Sequence, residues 1–372
     1  MNFDKLSEYL EHLPELGIPA SEIVISKNGA PVYHKCVGYS DRNGTIPCSD
    51  KDLYYLFSAT KIVTCIAVMR LVEEGLIGLD DPVAKYIPEY KNIMLKLPDG
   101  GTRVAKEMKI WHLFTMTGGM TYDKETDNIK GASDRSTLGM VKAMAKDGLI
   151  FDPGTRFKYS LCHDVLAAVA EVVTGMKFRD YIQKVVFDPL GIVDMGFHPT
   201  PEQLKRFSDM YSYRDGITKA IWKPTMNAFI FSDDYDSGGA GLFGSAGEYI
   251  KIIQAVANGG VAANGYRLLS EESIKMMQKN YLCDDAMDDF SETKRYGYGW
   301  GLCGRVHINK LKSQSKSPVG EFGWDGAAGA YALIDPENKL AIFYAQHVGG
   351  CAYAYDIIHP TIRNLTYDAI AE

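Results

Sequence analysis

Three patterns that define other classes of protein are missing from this sequence. There is no run of about 18 apolar residues, so no membrane-spanning helix is predicted. The first ten residues scatter charges without an apolar core, unlike a secretory signal. No cluster of lysine and arginine occurs and the net charge is −7, which argues against a nucleic-acid surface. We therefore expect a cytoplasmic protein that binds neither membranes nor nucleic acid.

Paired cysteines and metal-binding motifs are missing as well. The seven cysteines form an odd, scattered set without C-x-x-C spacing, which favours reduced thiols over a disulfide framework. The eight histidines form no H-x-x-x-H or H-E-x-x-H pattern. Acidic clusters at 233–236 and 284–289 lack the glycine and distal glutamate of an EF-hand loop. The sequence therefore predicts no metal site and no cofactor.

Strand patterns occur at both ends of the 372-residue chain. Near the start, two apolar segments flank Asn28-Gly29, a pair that tolerates the positive φ angles of a tight hairpin turn. Further strands are expected near the end, with a turn at 335–338 between the last two. The predicted strands are Glu22–Ser26, Pro31–Val37, Tyr298–Leu302, Glu321–Trp324, Ala328–Ile334 and Leu340–Gln346.

Helical periodicity dominates the middle of the chain. Helices are also predicted at the start, to about Leu16, and at the end, from about Tyr355 to Ala371. We expect an α+β fold, with an antiparallel sheet flanked by helices (1–60 and 285–372) and an inserted, mainly helical domain (61–284). The cleft between them is the expected ligand site. The predicted middle helices are Ile110–Phe114, Leu138–Ala145, His163–Val173, Phe178–Phe187 and Ala246–Ala257.

The most informative pair of residues is Ser58 and Lys61. Apolar spacing from Ile62 to a stop at Gly75 predicts a helix whose first turn holds Ser58. Residues three apart share a helix face, so the amine can reach and activate the hydroxyl. Burial would lower the proton affinity of Lys61 and make it a general base near neutral pH. By itself the spacing also fits a helix-capping serine followed by a solvated lysine.

Five ordered segments resemble the serine β-lactamase and penicillin-binding-protein superfamily, especially its branch of class C β-lactamases, D-alanyl peptidases and family VIII carboxylesterases. Ser58-x-x-Lys61 matches the first motif, and the tyrosine of the second motif corresponds to Tyr159. Because the segments occur in order over most of the chain, the resemblance favours a catalytic Ser58 over a capping one. The segments are 58–61, 108–119, 151–160, 188–192 and 238–246.

The resemblance implies a role for each matched residue. Ser58 is the nucleophile, and Lys61 with Tyr159 forms a coupled pair of bases, between which the sequence does not assign the proton. The backbone N–H groups of Ser58 and Ala327 form the oxyanion hole.

Two positions depart from the family pattern. Leu161 stands where the second motif has asparagine; Cys162, His163 or Asp164 could substitute, although we expect them to fill helix-surface or core positions. Trp324-Asp325-Gly326 is the best match to the family's third motif, Lys-Thr-Gly. Trp324 stands where β-lactamases have the lysine, which binds a substrate carboxylate.

Substrate is expected to contact Leu161, Trp324, Asp325 and Gly326, with the glycine leaving room for an acyl group along the strand. A flat indole suits a neutral acyl group, so we expect a serine hydrolase that acts like an esterase on a small or medium acyl substrate through an acyl-enzyme. Hydrolysis of β-lactams or D-amino-acid peptides is the alternative within the same chemistry. A ligand-binding protein that hydrolyses nothing is the alternative from another class.

Overall fold

The computed structural model describes residues 1–214, 217–222, 227 and 229–371. Among these residues, no helix is both long and apolar enough to cross a bilayer. The α-helices are Asp4–Glu11 (α1), Thr60–Glu73 (α2), Ile110–Phe114 (α3), Asp127–Lys130 (α4), Thr137–Ala145 (α5), Cys162–Thr174 (α6), Phe178–Ile182 (α7), Asp188–Leu190 (α8), Pro201–Leu204 (α9), Ala246–Ala257 (α10), Glu271–Met277 (α11), Asp284–Ser291 (α12), Lys310–Ser313 (α13) and His359–Ala371 (α14).

The strands fall into one large sheet and three small ones within the described part of the chain. They are Ala20–Lys27 (β1), Ala30–Gly38 (β2), Tyr54–Tyr55 (β3), Met94–Lys96 (β4), Thr102–Val104 (β5), Met195–Gly196 (β6), Met210–Arg214 (β7), Ile217–Trp222 (β8), Phe243–Gly244 (β9), Tyr298–Gly301 (β10), Gly304–His307 (β11), Phe322–Asp325 (β12), Tyr331–Asp335 (β13), Leu340–Gln346 (β14) and Val348–Gly349 (β15).

The large sheet joins the two ends of the chain. Its order is β10-β11-β12-β13-β14-β1-β2, and its strands pair antiparallel. The N-terminal hairpin thus adds to the edge of a C-terminal meander through the pairing of β1 with β14. The hairpin turn uses Asn28 and Gly29 at φ of 55° and 78°, as the sequence predicts.

Helices cover both faces of this sheet. Along β1, Val24 packs into the core shared with α2, α6 and α10, whereas Ile23 and Ile25 pack into the core shared with α1 and α14. Alternate side chains of a strand point to opposite faces, so coverage on both sides explains why the consecutive residues Ile23, Val24 and Ile25 are all apolar. The Tyr249 ring of α10 stacks on Phe343 of β14, with ring centroids 4.1 Å apart.

The predicted fold class is confirmed by this arrangement. The bounds of α3, α10 and β14 coincide with the predicted ones. The strands β7, β8 and β11 were not predicted. In β11, Gly304 and Arg305 carry no alternating apolar pattern, and pairing with β10 and β12 makes the segment a strand. The domain boundaries stay a prediction.

Replacing Gly38 by alanine should unfold the hairpin edge. Gly38 has φ of +81°, and a Cβ there would lie 1.9 Å from the carbonyl oxygen of Pro19. Gly44 has a similar φ of +69° but open space around the Cβ position, so it isolates the cost of backbone strain. In urea unfolding we expect Gly44→Ala to cost about 1 kcal/mol and Gly38→Ala about 3 kcal/mol or more. Equal losses would contradict this packing.

Candidate active site

Ser58 lies in a strained turn directly before α2. The turn is a single 3₁₀ turn, and the preceding Phe57 has φ of 45°, a left-handed conformation that is costly for an aromatic residue. The Tyr249 hydroxyl of α10 donates a hydrogen bond of 2.7 Å to the Ala59 carbonyl within the turn. The turn is therefore held by the helix that packs against the large sheet.

Lys61 reaches Ser58 from the first turn of α2. Its side chain is buried, at 1% exposure. The Nζ donates to the Ser58 Oγ at 3.3 Å and to the Gly239 carbonyl oxygen at 2.7 Å. It also lies 4.6 Å from the centre of the Tyr159 ring. The structure therefore brings together the three residues that the sequence predicts to be catalytic.

The surroundings of Lys61 act on its pKa in both directions. Burial lowers the pKa of the amine, as the sequence predicts, but the oxygen atoms of Tyr122, Tyr159 and Asp164 act in the opposite direction, and the balance is a raised pKa. This direction differs from the predicted lowering and favours the ammonium form over a neutral base.

Two aromatic residues position the Tyr159 phenol. The indole Nε1–H of Trp324 donates to the Tyr159 hydroxyl oxygen at 2.9 Å. The Tyr122 ring stacks on the Tyr159 ring, with ring centroids 5.3 Å apart. Burial raises the pKa of Tyr122 to about 12, so this second phenol keeps its proton at neutral pH. Sequence reasoning missed Tyr122, which lies outside the five matched segments.

A buried carboxyl group completes the electrostatic surroundings of Lys61. Asp164, near the start of α6, accepts hydrogen bonds from the hydroxyls of Tyr235 at 2.7 Å and Ser237 at 2.6 Å. Its second oxygen has no hydrogen-bond partner in the described part of the chain, and burial raises the pKa of the group. Cys162 and His163 are buried positions of the same helix. Of the three residues that could replace the missing asparagine, Asp164 acts on Lys61.

The glycine-rich segment 238–242 wraps the start of α2. A Cβ at Gly239 would lie 2.7 Å from the Asp164 Oδ2 and 3.4 Å from the Lys61 Nζ. A Cβ at Gly238 would lie 2.4 Å from the backbone oxygen of His163. The sequence marks this segment only as a family signature. In the structure, the absence of side chains at Gly238 and Gly239 lets the Gly239 carbonyl oxygen approach the buried Nζ of Lys61.

The two predicted oxyanion donors have free N–H groups. Neither the Ser58 nor the Ala327 amide has a hydrogen-bond acceptor in the described part of the chain. Gly326 lies between β12 and the Ser58 turn, where a Cβ would come within 2.3 Å of the Leu56 carbonyl oxygen. Gly326 is therefore required for packing against the turn that holds Ser58, and its contact with an acyl group stays a prediction.

Trp324 and Asp325 point to opposite faces of the large sheet. Trp324 packs on Trp300 in the core that contains Tyr159, with ring centroids 4.4 Å apart. Asp325 forms ion pairs with Arg295 and Arg305, which hold its pKa below the usual range although burial alone would raise it. Asp325 also lines a cavity of about 510 Å³ whose wall carries an excess of cationic side chains, among them Arg363.

Leu161 lies away from any accessible surface. Its side chain is 3% exposed and packs in the core next to α6, which follows directly after it. An apolar, buried side chain offers no hydrogen bond to a substrate. Leu161 is therefore not among the residues of the proposed site, and its contact with substrate stays a prediction.

This fold, with Ser58 and the buried Lys61 three residues apart beside Tyr159, is typical of a class of serine hydrolases. The family model named Beta-lactamase matches residues 6–350, and the chain belongs to this family. The family prediction is therefore confirmed.

Similar proteins carry different activities in their names. The chain is 28% identical to esterase EstB of Burkholderia gladioli over 358 residues, covering 89% of this chain and 86% of that one. It is 26% identical to a putative D-alanyl-D-alanine carboxypeptidase of Escherichia coli K12, covering 91% and 80%. The fold is similar to that of EstCE1, a hydrolase with promiscuous acyltransferase activity, at a TM-score of 0.82 and 23% identity over 98% of each chain.

Removing the indole N–H of Trp324 should slow turnover with little effect on substrate binding. Trp324→Phe keeps an aromatic ring but loses the hydrogen bond to the Tyr159 oxygen. If that oxygen is negatively charged in the transition state, as proposed below, the loss of about 1.5–3 kcal/mol lowers kcat roughly 10- to 100-fold. Steady-state kinetics on an aryl ester measure kcat and KM separately. Trp300→Phe is the matched control, because its indole donates to the backbone oxygen of Phe114 instead. Equal loss of kcat in both variants would contradict the role of Trp324.

A side chain at Gly239 should displace Lys61. We expect Gly239→Ala to slow acylation of Ser58 at least about 10-fold and to destabilise the fold by about 2 kcal/mol, because the new methyl group overlaps Asp164. Gly247→Ala is the control, since a Cβ at this position of α10 would have no atom within 4 Å other than those of the neighbouring residues and of the helix backbone itself. The labelling rate with a fluorophosphonate measures acylation. Unchanged labelling of Gly239→Ala would show that the close approach is unnecessary.

Proposed function

We propose that the protein is a serine hydrolase that forms an acyl-enzyme and acts like an esterase on small or medium acyl groups. The observation that carries the proposal is one continuous set of contacts. Lys61 contacts both Ser58 and the Tyr159 ring, and Tyr159 accepts the indole N–H of Trp324. A nucleophile, a fixed positive charge and a proton acceptor thus meet in one site.

We assign to Tyr159 the role of taking the Ser58 proton, because Lys61 contacts both the Ser58 hydroxyl and the Tyr159 ring. Lys61 keeps its own proton, so its ammonium stabilises negative charge on the neighbouring oxygens rather than accepting a proton. The proposed scheme requires the phenolate form of Tyr159, which the adjacent Lys61 ammonium would stabilise. As Ser58 attacks, its proton moves to that oxygen, and Trp324 donates to the same atom. The free N–H groups of Ser58 and Ala327 stabilise the tetrahedral oxyanion.

The proton moves back through Tyr159 in the later steps. Tyr159 gives the proton to the leaving alcohol, which completes formation of the acyl-enzyme. A water molecule then gives a proton to Tyr159 and attacks the acyl carbon, and the proton returns to Ser58 as the acid leaves. No redox or metal step enters this scheme.

Trp324 favours ester substrates over substrates that carry a carboxylate. An indole presents a flat apolar surface with one donor, and that donor is already engaged with Tyr159. No lysine is available at this position to bind a carboxylate. The name of the relative EstB agrees with this preference.

Hydrolysis of a peptide or β-lactam with a free carboxylate is the second candidate. The guanidinium of Arg295 lies 4.8 Å from the centre of the Trp324 ring and brings a cation to the position next to the missing lysine. Arg295 already pairs with Asp325, so this cation is partly neutralised. For that reason we rank this candidate below the esterase.

Replacing Ser58 by alanine should abolish activity. We expect wild-type protein to hydrolyse p-nitrophenyl butyrate and to gain one phosphonyl group from a fluorophosphonate, measured as intact mass. Ser58→Ala should lose both, with turnover falling at least about a thousandfold. Ser160→Ala is the control, since its hydroxyl contacts only Met116 and Cys162 within the described residues.

The result also separates the alternatives. Faster turnover of nitrocefin than of the ester would overturn the preference for esters in favour of the second candidate. A wild-type protein that gains no mass from fluorophosphonate, ester or penicillin would be a ligand-binding protein rather than an enzyme.

A further inference from the structure

Three potential metal ligands meet at the edge of the large sheet, away from Ser58. Glu22 of β1 pairs directly with Cys36 of β2, and His34 lies two residues before Cys36. Residues two apart on a strand share a face, so all three side chains lie on the same side of the hairpin. One carboxylate oxygen, one imidazole nitrogen and one sulfur lie within 4.8 Å of one another.

The distances suit a small tetrahedral ion. The Glu22 Oε1 lies 2.9 Å from the His34 Nε2, and that nitrogen lies 3.7 Å from the Cys36 Sγ. Zinc bonds of about 2.0–2.3 Å at tetrahedral angles separate oxygen and nitrogen ligands by roughly 3.3 Å and nitrogen and sulfur ligands by roughly 3.6 Å. For these two pairs of ligand atoms, shifts of a few tenths of an ångström would give the tetrahedral distances.

The Glu22 carboxyl group lacks a full set of partners. Its side chain is 0% exposed, and its second oxygen has no hydrogen-bond partner in the described part of the chain. The contact with His34 satisfies only the first oxygen. A buried carboxylate with an unused oxygen is costly unless a proton or a cation compensates it.

A second thiol lies close to the cluster. The Cys48 Sγ is 3.5 Å from the backbone oxygen of Ser21, the residue directly before Glu22. A divalent cation at Glu22, His34 and Cys36 would be bound by deprotonated ligands, so its binding would release protons.

We propose that Glu22, His34 and Cys36 bind a divalent transition-metal ion of the zinc type. Nitrogen and sulfur ligands favour such an ion over magnesium or calcium, which prefer oxygen. His34 and Cys36 are partly exposed, so the ion can enter from solvent and keep one open position. The ion would join edge strand β2 to β1. No sequence motif reveals the site, because one of its ligands comes from the neighbouring strand.

Cobalt(II) provides a direct test. Full-length protein without a histidine tag is treated with chelator and titrated with Co²⁺, and the near-ultraviolet band of a thiolate–cobalt bond is followed. We expect one ion per chain in the wild type. Cys36→Ser should lose the band, and His34→Gln should bind at least about 10-fold more weakly. Cys283→Ser, which removes an exposed cysteine elsewhere, should behave like the wild type.

Zinc should also raise the thermal unfolding midpoint of the wild type and of Cys283→Ser but not that of His34→Gln. The proposal would be overturned by the absence of a thiolate band in the wild type. It would equally be overturned by a band that survives in Cys36→Ser, or by one that Cys283→Ser also loses. Neither the cobalt titration nor the thermal unfolding experiment depends on hydrolysis at Ser58. The metal site and the proposed hydrolase activity can therefore fail independently.

Discussion

The contact between the Lys61 ammonium and the Gly239 carbonyl oxygen, 2.7 Å long, is the interaction on which the candidate site depends. An ammonium buried to 1% exposure is stable only when oxygen atoms replace the water it has lost. Gly239 supplies one such oxygen and Ser58 a second. The Asp164 carboxyl group, on α6, also acts to raise the pKa of Lys61. These contacts hold the Lys61 side chain beside Ser58.

The other parts of the site follow from holding this charge. Gly238 and Gly239 cannot carry side chains, because their backbones press against α6 and against Lys61. The strained φ of Phe57 persists because neighbouring elements hold the Ser58 turn on several sides. Trp324 donates a hydrogen bond to the Tyr159 oxygen and so helps to hold the phenol near Lys61. In the proposed mechanism the same indole therefore both replaces a carboxylate-binding lysine and supports the proton acceptor.

Local features of the fold and site could be predicted from the sequence. The spacing of Ser58 and Lys61 lies within one helical turn, and the hairpin at Asn28-Gly29 depends on two residues. The sign of the Lys61 pKa shift could not be predicted. It depends on Tyr122, Tyr159 and Asp164, which are distant from Lys61 in sequence, so that only the fold brings their oxygen atoms near the amine. The pairing of β11 and the metal-type cluster of Glu22, His34 and Cys36 were missed for a similar reason, since neighbouring strands create them.

The protonation state of Lys61 tests this account most directly. In protein labelled with ¹⁵N at the lysine side chains, the Lys61 Nζ signal can be assigned by its absence in Lys61→Met and followed as the pH rises. The account predicts an ammonium signal that persists past the pH at which the exposed lysines titrate, because the pKa of Lys61 is raised. A neutral amine at pH 7 to 8 would contradict it and would return the role of general base to Lys61.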